Sequence, residues 1–111
     1  MKIKQYEIWL ANLDPKIGTE PGKTRPVVII QTNLLNDFHP STIVCPVTSN
    51  VKKDIKILRI YLKKGKLDKP SDILIDQIRS IDNKRFIKKL GILTGLQIQN
   101  IKTNIRIILD I

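Results

Sequence analysis

Apolar and polar residues trade places in short runs along most of this chain, and only the C-terminal stretch settles into a helical period. Tyr6 to Asn12 is the first strand candidate, because Ile8 and Leu10 alternate with Glu7, Trp9 and Ala11. Leu13 to Thr24 holds Pro15, Gly18, Pro21 and Gly22 and reads as a loop. About a dozen residues without an element is long for so small a domain, and loops of that length often carry function. Pro26 then opens a continuous apolar strand, Val27-Val28-Ile29-Ile30, since proline is tolerated at a strand's first residue.

Asn33 to Phe38 predicts a short helical turn closed by Pro40. Thr42 to Thr48, Ile55 to Leu62 and Asp72 to Ile78 predict three further strands, with Lys63 to Pro70 a basic, turn-rich connection and Asp82-Asn83 another turn. The helix begins at Thr94-Gly95-Leu96-Gln97, which fits a capping box, with Leu93 and Ile98 where a hydrophobic staple would lie. Ile98, Ile101, Ile105 and Ile108 then recur on one helical face, a stripe suited to core or dimer packing. Five short strands and one C-terminal amphipathic helix predict a compact, mostly antiparallel barrel, a single domain over residues 1–111 with no repeat and no linker.

Charge sharpens this picture. The 111 residues hold 20 Lys plus Arg against 10 Asp plus Glu, a formal charge of +10. Such an excess attracts polyanions, whether nucleic acid or an acidic protein partner, although lysine also serves merely to solubilise. Aromatic residues are few (Tyr6, Trp9, Phe38, Tyr61 and Phe86), so platforms for stacking bases are sparse. A lone Cys45 cannot form an internal disulfide, which suits a reducing compartment. Lacking a signal-like start or an apolar run near the ~20 residues of a membrane span, the chain is expected to be cytoplasmic.

Several chemistries fall away on inspection. Gly18 to Thr24 superficially resembles a phosphate-binding Walker loop, but its glycines are one residue too close and Arg25-Pro26-Val27-Val28 continues as a strand, not a helix. His39 is the only histidine, so a two-imidazole ribonuclease is impossible in a monomer, and His39 is expected in a surface loop beside Pro40. One His and one Cys fall short of a zinc set, and the scattered carboxylates offer no magnesium site, so no metal or other cofactor is expected. What remains are polar residues at strand ends: Arg25, Thr48-Ser49-Asn50, Gln77 and Arg79. Such residues can line a barrel rim. Equally, Arg25 could pair with a surface carboxylate, Thr48-Ser49 could cap a turn, and Gln77 and Arg79 could form a solvated face.

Three motifs carry a family likeness. Asp14-Pro15 followed by Gly18-Thr19-Glu20-Pro21-Gly22-Lys23-Thr24-Arg25-Pro26-Val27-Val28-Ile29-Ile30, then Pro46-Val47-Thr48-Ser49, then Asp76-Gln77-Ile78-Arg79-Ser80-Ile81-Asp82, resemble the MazF/PemK-type toxins in order and spacing along nearly the whole chain. The resemblance implies an SH3-like barrel with short helices, assembled as a homodimer. It implies metal-independent, sequence-specific cleavage of single-stranded RNA, in which the ribose 2′-hydroxyl attacks and leaves a 2′,3′-cyclic phosphate and a 5′-hydroxyl. A cognate antitoxin with an acidic tail is implied as partner. By position, Arg25 and Thr48 match the catalytic pair, while Thr19, Glu20, Lys23, Ser49, Gln77 and Arg79 fall in regions associated with RNA binding. Pro21 and Cys45 depart from the commonest pattern, and both are expected to bear on which RNA sequence is cut.

Two other readings share the same barrel. One is a non-catalytic toxin that binds and poisons DNA gyrase, which would not need the pairing of Arg25 with Thr48. The other is a basic module that holds RNA without cutting it.

Overall fold

The computed structural model describes residues 2–20 and 22–111; Pro21, expected to bear on the choice of RNA sequence, lies outside the described residues. Seven strands run in the order β1 (Glu7–Asn12), β2 (Thr24–Ile29), β3 (Ser41–Thr48), β4 (Arg59–Leu62), β5 (Ser71–Leu74), β6 (Arg79–Asp82) and β7 (Phe86–Ile92), followed by helix α1 (Gly95–Leu109). All pairings are antiparallel, and the spatial order is β4-β5-β3-β2-β1-β7 with β6 also paired to β3. The sheet curls without closing, so β4 and β7 remain its ends, and β6, paired among the described residues only to β3, keeps a free edge too. Lys66 reaches across from the β4–β5 connection to donate to the Ile92 carbonyl. Gly91 permits that approach, since a Cβ there would stand 2.6 Å from Lys66 Cδ.

Strand β3 organises the molecule. Its first half pairs with β6 (Ser41 with Asp82 through Val44 with Arg79) and its last two residues pair with β5 (Val47 with Ile73, Thr48 with Asp72). On its other edge, Val44 to Pro46 pair with β2. Alternation then sorts side chains to two apolar layers. Val28, Cys45, Val47, Ile60, Ile73 and Ile101 belong to the layer beneath α1, and Trp9, Ala11, Val27, Ile29, Val44 and Ile81 form the opposite one. Trp9 meets Phe86 edge to face there, with ring centroids 5.8 Å apart, a favoured aromatic geometry.

The helix forms as its sequence predicts. Thr94 Oγ accepts from the Gln97 N–H at 3.3 Å, and Gln97 Oε1 accepts from the Thr94 N–H at 2.8 Å. Ile101 is wholly buried, while Ile98, Ile105 and Ile108 pack half-buried on the core, so the isoleucine stripe serves core packing.

Elsewhere the observed elements differ from expectation. Two strands more than five are present: β6 and β7 are Arg-Ser-Ile-Asp and Phe-Ile-Lys-Lys-Leu-Gly-Ile, whose lysines and arginine mask any alternation. Both are strands because a neighbour pairs with them, β3 and β1 respectively, and an end strand can afford charged residues. Pro26 does not open β2 but is its third residue, at a point where the β3 ladder has not yet begun. The segment Ile55 to Leu62 is a strand only from Arg59, because its first part turns through a Leu58 N–H to Ile55 carbonyl bond. Asp72 to Ile78 breaks after Leu74 into a 3-10 turn, Ile75–Gln77. Asn33 to Phe38, by contrast, does form the expected helical turn, with the Asn36 N–H donating to the Thr32 carbonyl and the His39 N–H to that of Leu35.

A candidate nucleic-acid interface at the strand ends

The β1–β2 loop is tied shut at its base. Leu13 N–H donates to the Lys23 carbonyl at 2.8 Å, and Lys23 N–H donates to Asp14 Oδ1. Arg85 donates to the Asn12 carbonyl at 3.0 Å and also to that of Asp14. Gly22 is required here, because a Cβ would fall 2.6 Å from Lys16 Cβ and 3.0 Å from Asp14 Oδ1. Arg25 emerges from this clamp, and its Nε donates to the Gly22 carbonyl at 2.9 Å. Among the described residues the guanidinium makes no other hydrogen bond, so its two terminal nitrogens form a fork aimed by the Nε contact.

Thr48 ends β3, and its hydroxyl accepts from the Asn50 N–H at 3.2 Å, leaving its own proton to donate. The last β2–β3 pair is Val27 with Pro46. Continued outward by two residues, that register sets Arg25 opposite Thr48, and partners across an antiparallel pair share a face. Both residues border one cleft of about 670 Å³, together with Lys23, Ser49, Lys66 and Lys69. Lys88 of β7 borders it as well.

Four of the residues singled out from the sequence therefore converge: Arg25, Thr48, Lys23 and Ser49. Thr19, Glu20, Gln77 and Arg79 do not line this cleft. Glu20 instead reaches Arg79 at 3.8 Å, so two of those four meet each other on the loop side. Lys66, Lys69 and Lys88 were not singled out. The first two lay in plain view in the basic Lys63 to Pro70 connection, whereas Lys88 sits on a strand that alternation does not reveal.

Two other residues lie away from this cleft. His39 is exposed in the turn that precedes β3, and the length of that strand puts it roughly 25 Å from Thr48. Cys45 is wholly buried, and burial, with the nearby Asp76 charge, pushes its thiol up to about 12. It therefore has no surface to offer RNA, and any bearing on sequence choice would be exerted through the packing of β3. Among the described residues, no three His, Cys, Asp or Glu side chains gather as a metal site, and no helix is long and apolar enough to cross a membrane.

The molecule is thus a small antiparallel β protein, barrel-like but open, that collects an arginine fork, a hydroxyl and several lysines at its strand ends. The chain belongs to the PemK-like, MazF-like toxin family of type II toxin–antitoxin systems, whose model matches residues 4–109. Solved structures show the same fold. MazF from Deinococcus radiodurans superposes with a TM-score of 0.87 at 21% identity, covering 100% of this chain and 99% of that one. The MazE–MazF complex (Form-II) from the same organism gives 0.82 at 20% identity, covering 100% and 98%. The Mycobacterium tuberculosis toxin MazF-mt6 gives 0.79 at 22% identity, covering 95% and 97%.

Proposed function

We propose that residues 1–111 form one toxin domain that cleaves single-stranded RNA at specific short sequences, without metal, through Arg25 and Thr48. The observation that carries this reading is their shared cleft, walled by lysines and reached from two separate strands. A lysine-lined cleft holds a polyphosphate strand. Attack of the ribose 2′-oxygen forms the O2′–P bond, releases the 2′ proton and breaks the bond to the 5′-oxygen, which leaves as a hydroxyl. Negative charge grows on the non-bridging oxygens meanwhile. The Arg25 fork donates two hydrogen bonds to them and the Thr48 hydroxyl a third. Lys23 and Ser49 hold the backbone beside the cut, and Thr19, Glu20, Gln77 and Arg79 read flanking bases from the loop side.

The partner in this reading is a cognate antitoxin whose acidic tail competes with RNA for the same lysines; a MazF of the same fold has been crystallised with MazE. The toxin acts in the cytoplasm as a homodimer.

The test is to incubate the purified protein with a long RNA in excess EDTA and map the ends. Specific cuts with cyclic-phosphate termini, lost in Arg25→Ala, are expected. Uncut RNA with tight binding to DNA gyrase would replace this reading by the gyrase poison, and uncut but bound RNA by the passive binding module.

A further inference from the structure

The ladders on the other side of Thr48 extend its row. Thr48 pairs with Asp72 of β5, and Asp72 pairs with Tyr61 of β4. Cross-strand partners share a face, so Thr48, Asp72 and Tyr61 form one transverse line over three strands, and the β2 register continued outward brings Arg25 to its other end. At the usual spacing between strands, Tyr61 stands about 10 Å from Thr48, near enough for a base next to the reacting phosphodiester or one beyond.

Tyr61 is equipped for that contact. Its neighbours Ile60 and Leu62 turn into the core, while its own side chain is 51% exposed. Of the five aromatic residues only Phe38 is also that open, and Phe38 lies in the turn at the opposite end of β3. Beside Tyr61 is a pocket of about 410 Å³ bordered by Lys52, Lys53, Lys56 and Arg59. Its floor is fixed. Asp72, 2% exposed, accepts from the Lys52 N–H at 2.9 Å and from Arg59 at 3.2 Å, and Arg59 also donates to the Asn50 carbonyl at 2.8 Å. The Asp72 charge is thus matched by Arg59, and three lysines remain to face phosphate.

We propose that Tyr61 and the Lys52, Lys53 and Lys56 ammonium groups form a subsite that stacks one base of single-stranded RNA flanking the bond aligned with Thr48. The subsite rests on the RNA reading above but not on cleavage. An aromatic face stacks any base, so this position contributes affinity and register more than sequence choice.

The test is fluorescence anisotropy with a 12-nucleotide 2′-O-methyl RNA, which cannot be cut, spanning a site mapped on a long RNA. Tyr61→Ala should weaken binding about tenfold and Tyr61→Phe less than twofold. Removing the base at one flanking position should weaken the unaltered protein about as much and add nothing in Tyr61→Ala, as coupled partners behave. Equal binding by Tyr61→Ala and the unaltered protein would overturn the subsite even if cleavage is confirmed. Should the protein cut no RNA, the same comparison is made with 2′-O-methyl dodecauridylate: loss in Tyr61→Ala upholds the subsite although the nuclease reading has failed, and equal binding overturns it.

Discussion

Arg25 and Thr48 meet over one cleft, yet the strand ends that deliver them are held by opposite electrostatic means. At the Arg25 end, Arg85 clamps the loop through neutral carbonyls of Asn12 and Asp14 at a half-exposed site. At the Thr48 end, Arg59 is paired with the buried carboxylate of Asp72, which also catches the Lys52 N–H of the outgoing loop. A carbonyl clamp near solvent can be undone at modest cost. A buried ion pair cannot, because removing one partner strands the other charge away from water. The end that bears the arginine fork is therefore the adjustable one, and the hydroxyl end is the fixed reference.

The largest expected effect tests whether the two ends act as one site. Arg25→Ala should slow RNA cleavage by about 10²–10³ in kcat, the usual loss for a preorganised donor to a developing oxyanion. A smaller loss, under about fivefold, would separate Arg25 from the chemistry. Next is the fixed end. Asp72→Ala should cost about 3 kcal/mol in denaturant unfolding, since Arg59 and the Lys52 N–H both lose their acceptor. Arg85→Ala should cost only about 1 kcal/mol, because water replaces two carbonyl contacts near the surface. It should nonetheless lower kcat more than it raises KM, as the loop that aims Arg25 loosens. If Arg85→Ala and Asp72→Ala prove equally destabilising, the contrast between the two ends fails.

The smallest effect comes from a carboxylate remote from both. Burial pushes the Glu7 carboxyl up, but hydrogen bonds from Lys89, Trp9 and the Lys4 N–H outweigh it and hold the group below its ordinary value of 4.5. A lowered native pKa means that the unfolded chain takes up the proton first. Stability from Glu7 is complete above about pH 4.5 and drains away as pH falls through the lowered native value. Glu7→Gln should flatten that part of the stability–pH curve in thermal unfolding while leaving RNA cleavage near neutrality unchanged.

Local pattern went far where a segment's surroundings are simple. Glu7 to Asn12 reads as a strand because successive residues feed two apolar layers, Ile8 one and Trp9 and Ala11 the other, and the Thr94–Gln97 box closes within its own turn. Arg25 and Thr48 could be picked out as strand-end polar residues, but pattern left each open to a duller role, and the family motifs made them a pair. Tyr61 passed unnoticed as anything more than a strand residue. Its one signal was to be the outward residue between Ile60 and Leu62 in a strand flanked by lysines.

What the chain by itself determined is its short strands, its capped isoleucine helix, its positive charge and its toxin-family motifs, since each is written in neighbouring residues. Tertiary structure alone decided that Lys66, Lys69 and Lys88 share a cleft with Arg25, and that Tyr61 lines up with Thr48. The reason is register. Which residue faces which across strands depends on how distant segments slide to bury their apolar faces, and a shift of one residue would turn every side chain in that row to the other side.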